Sequence, residues 1–217
     1  MEAKKAAFMG KVTAGVTHEM KNVLAIIKES AGLMEDLIAL DKNDALPHKE
    51  KFCKSLARIL AQVARGVDLS TKLNSFAHSP DEQRAHVDLN EAIGQTAFIC
   101  HKPASLKGMS VHAVRHETPV AVVADPMALQ MLLFQCVGEL MGVLDVGGAI
   151  ILQPTRDNGS GVIVSQSGEA GASGTQAPRV DTTSPEWQEL QLVARGLNAS
   201  VEADETVPRI FVKFSGD

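Results

Sequence analysis

Three residues near the start of the chain carry side chains suited to group-transfer chemistry, namely His18, Glu19 and Asn22. In the heptad pattern of this region His18 falls on the outer face of a helix, so its imidazole should reach solvent. An exposed imidazole is a good nucleophile, and a nearby carboxylate such as Glu19 can orient the ring and stabilise positive charge on it. Asn22 follows one helical turn later, where its amide could hold a water molecule or a phosphoryl oxygen. These three residues are the candidate catalytic site.

Three other interpretations of this segment compete with this one. A zinc site of the His-Glu-x-x-His type needs a second histidine where Asn22 stands, so we predict no metal site here. Glu19 could form an ordinary surface ion pair with a lysine of its own helix. His18 could also be a solvated surface histidine without a chemical role.

Residues 1 to about 80 are expected to form two long helices that position this segment. Stop signals at 41–47 and at 79–81 end the first and second helix. The heptad core positions of the first helix are Met9, Val12, Val16, Glu19, Val23, Ile26, Ser30, Leu33, Leu37 and Leu40. The two helices would form an antiparallel hairpin whose apolar residues cover more than one narrow seam. A second copy would bury the remainder, so we predict a homodimeric four-helix bundle, with packing on the C-terminal half as the alternative.

From residue 86 onward the pattern alternates between helices and strands. Asp88, Asp125 and Ser184 are predicted N-caps of three helices. Strands are predicted at 109–115, 120–124, 149–153, 161–166, 199–202 and 209–214. This order is typical of an α/β sandwich with one mixed sheet and helices on one face. The chain is thus predicted to be α+β, with domains at 1–80 and 86–217.

Composition excludes several classes of protein. The 21 Lys and Arg against 26 Asp and Glu give a net charge of −5, and there are only eight aromatics, seven Phe and one Trp. That balance argues against a nucleic-acid binder. Cys53, Cys100 and Cys136 are far apart, so we expect buried, reduced thiols in a cytosol. No apolar run approaches the roughly 18 residues that span a bilayer, and no signal-peptide core follows the first residues, so we predict a cytoplasmic protein without membrane contact.

Three segments resemble motifs of two-component sensor histidine kinases. The segment 11–27, which contains Thr-His-Glu-Met-Lys-Asn, resembles the H-box of that family. The segment 87–91 resembles the usual entry into the ATP-binding domain, and 125–129 resembles the lead-in to its Asn-bearing box. The three motifs occur in the order of the family and together extend over most of the chain.

The resemblance implies a role for each candidate residue. His18 would be the phospho-accepting histidine and Glu19 the acidic partner that assists the imidazole. Asn22 would be the amide that positions water for dephosphorylation of a response regulator. Residues 1–80 would form the dimerisation and phosphoacceptor domain, and 86–217 a histidine-kinase-like ATP-binding domain.

The ATP site is where the sequence departs from the family. Gln135 and Glu139 stand where the family has Asn residues that face nucleotide and Mg²⁺. Asp157–Gly161 matches the letters of the family's Asp-x-Gly-x-Gly loop, but its flanking strands favour a β-hairpin turn. The segment in the matching place, Gln166–Ala170, lacks the Asp, and the glycine-rich stretch Gly168–Pro178 does not lead directly onto a helix N-terminus. We therefore expect a degenerate domain that binds no ATP or other cofactor.

These observations together predict a histidine phosphotransferase of the degenerate-kinase type. His18 of a homodimer would exchange phosphoryl groups with aspartates of response-regulator receiver domains, which would bring their own Mg²⁺. The receiver would dock along the first helix near Val16 and Leu24. Three alternatives stay open: a response-regulator phosphatase that uses Asn22, an active kinase with a diverged site, and a non-catalytic dimeric module that binds a receiver or a kinase.

Overall fold

The computed structural model describes residues 2–40, 49–78, 84–157, 159–167 and 179–215. In chain order the elements are α1 (Glu2–Leu40), α2 (Lys49–Ala77), β1 (Ala85–Asp88), α3 (Leu89–Leu106), β2 (Ser110–Ala113), β3 (Ala121–Ala124), α4 (Pro126–Val143), β4 (Ala149–Thr155), β5 (Gly161–Gln166), α5 (Pro185–Gly196), β6 (Ala199–Ala203) and β7 (Arg209–Phe214). They form two compact units: Met9–Ala77 is one, and Met1–Phe8 with His78–Asp217 is the other. The first turns of α1 therefore belong, by their contacts, to the C-terminal unit.

The N-terminal unit is the predicted helical hairpin. One face of each helix forms its seam, where buried side chains recur at heptad spacing. The buried seam residues are Val12, Val16, Val23, Ser30 and Leu37 on α1, with Ser55, Leu69 and Phe76 on α2. The backbones approach closely at Gly66, where an added Cβ would lie 3.3 Å from Cγ1 of Val23. The predicted core position Leu33 is instead 45% exposed, so only part of the apolar surface is covered within the hairpin.

Helix α1 extends beyond its heptad core positions at the N-terminal end. Its 39 residues begin at Glu2, two turns before the first heptad position. The early turns make contacts within the C-terminal unit: the Phe8 and Phe134 rings meet edge to face with centroids 5.2 Å apart. The Lys5 ammonium lies 2.6 Å from the Asp125 carboxylate, which raises the pKa of Lys5. An ion pair and an aromatic contact thus hold the start of α1 on α4.

The C-terminal unit is built on a mixed five-stranded sheet in the order β2-β4-β5-β7-β6. Strands β2 and β4 are parallel, and the other neighbours are antiparallel. The prediction of an α+β chain is confirmed. A second sheet of two strands was not predicted: β1 pairs antiparallel with β3. Because β1 has only four residues and directly precedes a helix, it carries no readable alternation of apolar and polar residues.

The helix N-caps were predicted correctly. The Asp88 carboxylate accepts a hydrogen bond from the backbone N–H of Asn90 at 2.9 Å. Asp125 accepts one from Ala128 at 2.9 Å, and the Ser184 hydroxyl accepts one from Trp187 at 3.1 Å. Each side chain satisfies an N–H that has no partner within its own helix.

Helix α4 is the core helix of the C-terminal unit, with eleven of its residues buried. Among the described helices it alone has the length and apolar composition to cross a membrane, and 61% of that stretch is buried within the fold. Cys136 of α4 and Cys100 of α3 are buried free thiols, as expected, but Cys53 is exposed. Burial raises the pKa of the Cys136 thiol, so that thiol stays protonated at neutral pH.

The segment around Asp157 is a hairpin turn between β4 and β5, as the flanking strands indicated. Thr155 pairs with Gly161 at its base. An added Cβ at Gly161 would collide with the backbone oxygen of Val212 in β7, and Gly159 adopts a positive φ of 108°. The glycines that match a nucleotide-binding motif by letter are therefore required by strand pairing and turn geometry.

Candidate functional site

His18 and Asn22 lie together on the outer face of α1. Both residues are exposed, and the Asn22 Nδ2 atom lies 3.5 Å from Nδ1 of His18. The helix produces this proximity because side chains four residues apart project from the same face. The amide lies on the Nδ1 side of the ring, so Nε2 points away from it. The amide nitrogen donates, so Nδ1 is the acceptor in this contact and the proton of the neutral ring lies on Nε2; Nε2 offers its lone pair in the other tautomer, with the proton on Nδ1.

Glu19 lies beside His18 in the chain but turns toward the second helix. Its Oε2 atom accepts a hydrogen bond from Nη2 of Arg65 at 3.0 Å. The Glu19 side chain is only 12% exposed, whereas that of Arg65 is 49% exposed. This salt bridge joins α1 to α2 at the level of the candidate nucleophile. The carboxylate proposed to assist the imidazole is therefore also held by a guanidinium from the partner helix.

The surface expected to receive a docking partner differs in one residue from the prediction. Val16, near which docking was expected, is buried in the hairpin seam, so its side chain cannot itself contact a receiver. Leu24 is exposed, but at 100° per residue it lies about 120° around α1 from His18. The exposed residues next to His18 on α1 are the polar Lys21 and Asn22 and the small Ala14 and Ala25.

Gln135 and Glu139, the positions at which the family resemblance implies contacts to a nucleotide, lie on α4 of the C-terminal unit. Burial raises the pKa of Glu139, and the charges of Glu186 and Asp181 raise it further. Gln135, one turn before Glu139 on α4, has a buried Oε1 atom with no hydrogen-bond partner. Three carboxylates that repel one another do not fit the phosphates of a nucleoside triphosphate. Among the described residues no group of three or more His, Cys, Asp or Glu could hold a metal ion that would offset this charge.

The start of α5 does not offer a phosphate cradle either. The hydroxyl of the N-cap Ser184 already accepts a hydrogen bond from the backbone N–H of Trp187, and the Trp187 side chain is buried in the core. Glu189 follows on this helix and forms an ion pair with Lys4 at 2.8 Å. The segment Gln166–Ala170 and the glycine-rich stretch Gly168–Pro178 lie largely outside the described residues.

A substitution at Glu139 should stabilise the C-terminal unit at neutral pH. Because folding raises its pKa, the folded state binds this proton more tightly than the unfolded chain, and stability falls as the pH rises through that interval. Glu139→Gln should raise the melting temperature at pH 7.5 by up to about 2–4 °C, since screening limits the gain to about 1 kcal/mol. The difference from wild type should shrink toward pH 4, and a gain that is constant with pH would contradict the electrostatic cause. Gln188→Glu is the control, because Gln188 is exposed on α5 and the substitution changes a charge at a position other than 139.

The sequence did not reveal the contact between Arg65 and Glu19, nor the acidic neighbours of Glu139. Arg65 lies 46 residues from Glu19, so no local pattern connects them. Folding the hairpin about its loop would have placed residue 65 near residue 19. Asp181 and Glu186 flank the start of α5, a position that only the three-dimensional packing against α4 brings close to Glu139.

Comparisons with known proteins agree with the predicted resemblance. No protein-family model matches the chain. The sensor histidine kinase TmoS of Ectopseudomonas mendocina is 24% identical over 132 residues, which is 61% of this chain and 13% of that kinase. This chain thus corresponds to a small part of the length of that relative.

Two solved structures illustrate the similarity in fold. The cytoplasmic segment of histidine kinase QseC has a TM-score of 0.46 and 13% identity, covering 70% of this chain and 96% of that one. Acinetobacter baumannii histidine kinase AdeS has a TM-score of 0.45 and 12% identity, covering 91% and 97%. Because these scores are low, the family resemblance depends on the TmoS match and on the motifs around His18. On that basis the resemblance to two-component histidine kinases is confirmed.

Proposed function

We propose that this chain, a two-component histidine-kinase-like protein, is a histidine phosphotransferase that exchanges phosphoryl groups between His18 and receiver-domain aspartates. The proposal is supported by the exposed His18–Asn22 contact on α1 and, separately, by the carboxylates of Asp181 and Glu186 that act on Glu139 in the C-terminal unit. The exposed His18 supports phosphoryl acceptance, and the carboxylates in the C-terminal unit argue against ATP as the phosphoryl donor. A phosphorylated receiver would then be the donor.

The transfer step requires little from this chain. Nε2 of His18 forms a P–N bond as the P–O bond of the receiver's aspartyl phosphate breaks, and the aspartate carboxylate leaves. The tautomer with its proton on Nδ1 reacts, so the ring becomes positively charged until Nδ1 passes that proton to water, and the negative charge of Glu19 stabilises that state. The receiver supplies its own Mg²⁺, so this chain contributes a positioned nucleophile and a docking surface.

The hairpin also supports a homodimer. Exposed apolar side chains form a second stripe on each helix, away from the seam. The stripe consists of Leu24 and Ile38 on α1, with Leu56, Leu60, Val63 and Val67 on α2. The α2 members follow the i, i+4, i+7, i+11 spacing of one helical face. A second copy that covers this stripe completes a four-helix bundle and leaves His18, on another face of α1, accessible to a receiver.

The proposal places the protein in the cytoplasm, where receiver domains are found. QseC, a similar protein, was solved as a cytoplasmic segment. Nucleic acid and membrane are not expected partners. The proposed partners are a second copy of this chain and a response-regulator receiver domain.

The fate of the phosphoryl group separates this proposal from its closest alternative. The His18–Asn22 contact would also suit a response-regulator phosphatase, in which the amide positions water. The experiment follows ³²P from a purified phosphorylated receiver into this chain and into inorganic phosphate. A phosphotransferase gives alkali-stable, acid-labile label on the chain, and Asn22→Ala retains acceptance of that label. Release of inorganic phosphate without label on the chain, lost in Asn22→Ala, would support the phosphatase and overturn the proposal.

A further inference from the structure

Arg65 occupies a place at the candidate site that the histidine-kinase resemblance does not assign to any residue. It comes from α2, yet its guanidinium donates to Oε2 of Glu19, the residue directly after His18. The Glu19 carboxylate is nearly covered, while half of the Arg65 side chain faces solvent. The pair thus joins a shielded anion, on the residue that follows His18 in the chain, to an accessible cation.

The charges explain why such a pair would matter for phosphoryl transfer. The phosphoryl group that approaches His18 is an anion, and an unpaired carboxylate on the adjacent residue would repel it. A guanidinium held 3.0 Å from Glu19 offsets that repulsion and fixes the carboxylate in one position. Arginine suits this role because its charge persists at every physiological pH and its planar group keeps N–H donors available beside the ion pair.

From this geometry we infer that Arg65 is a positioning residue of the phosphoacceptor site, which acts through Glu19 to admit the phosphoryl group to His18. The inference rests on the proposed phosphotransferase function. Both helices then contribute to the acceptor site. Helix α1 supplies the nucleophile His18, and α2 supplies the cation that holds Glu19.

The test measures transfer from a phosphorylated receiver under single-turnover conditions at varied receiver concentration. Arg65→Gln should slow the maximal rate about tenfold, because the positioned carboxylate is released. The concentration for half-maximal rate should stay within about twofold, since Arg65 acts on the transfer step and not on docking. Arg65→Lys keeps the charge and should recover part of the rate. Arg58→Gln is the matched control, because Arg58 is exposed and lies one heptad earlier on the same face of α2.

A double-mutant cycle decides whether Arg65 acts through Glu19. In a Glu19→Gln background the further change Arg65→Gln should slow transfer by less than about twofold, because the carboxylate it holds is gone. Additive effects, or a wild-type rate in Arg65→Gln, would overturn the inference. An unchanged circular-dichroism melt of Arg65→Gln shows that the hairpin is intact. If wild type accepts label at His18 but the Arg65 variants do not behave as expected, only the role of Arg65 is refuted. If wild type accepts no label, the proposed function is refuted as well.

Discussion

His18→Ala should abolish phosphoryl acceptance from a phosphorylated receiver, lowering the initial rate by at least about 10³-fold, because no other group replaces the nucleophile. The side chain is exposed and lies outside the hairpin seam, so its removal should leave the helices intact. The measurement is the rate of ³²P incorporation into the chain, with the melting temperature of the variant recorded in parallel.

The matched control for this loss is another exposed histidine. His101 lies on α3 in the C-terminal unit, and His101→Ala should accept label at the wild-type rate. Full activity in His18→Ala would show that phosphoryl groups reach a different residue. It would also remove the reason to treat Asn22 and Glu19 as parts of an acceptor site.

Two charges in the exposed apolar stripe of α2 should dissociate the proposed dimer. Leu60 and Val67 are each 61% exposed, and covering such a side chain contributes about 1.5–3 kcal/mol when burial is complete. The variant Leu60→Glu/Val67→Glu loses this contribution and places carboxylates in a dry interface. Its dimer dissociation constant should rise by at least about 100-fold, equivalent to about 2.7 kcal/mol. Sedimentation equilibrium over a range of concentrations measures the change.

The control for the dimer uses the neighbouring face of the same helix. Ala61 is exposed and lies about 100° around α2 from Leu60, away from both the seam and the stripe. Ala61→Glu should therefore dimerise like the wild type. A monomeric wild-type chain at micromolar concentration, or a double variant that dimerises normally, would refute the four-helix bundle.

The sequence predicted the fold where local signals were strong. N-cap residues such as Asp125 marked helix starts within one residue, since a side chain that caps a helix acts on the adjacent N–H groups. The heptad pattern identified buried positions such as Val23. The sequence did not predict β1, because its four residues gain their structure from pairing with β3. The helical pattern also gave no sign that Phe8, in the first turns of α1, packs on Phe134 far along the chain.

The candidate site was predictable only in its local part. His18 and Asn22 are one helical turn apart, so their proximity follows from the helix alone. Arg65 could not be identified in this way, because its contact with Glu19 depends on the register between two helices. Likewise, the charge at Glu139 could be read from the sequence, but the carboxylates that raise its pKa belong to another segment.

The most direct test of the central claim compares two phosphoryl donors on the same wild-type protein. One reaction contains [γ-³²P]ATP with Mg²⁺, and the other contains a ³²P-labelled receiver domain without nucleotide. In the receiver reaction we expect alkali-stable, acid-labile label that maps to the His18 peptide. In the ATP reaction we expect no label above background. Rapid labelling of His18 by Mg·ATP, with none from the receiver, would contradict the central claim.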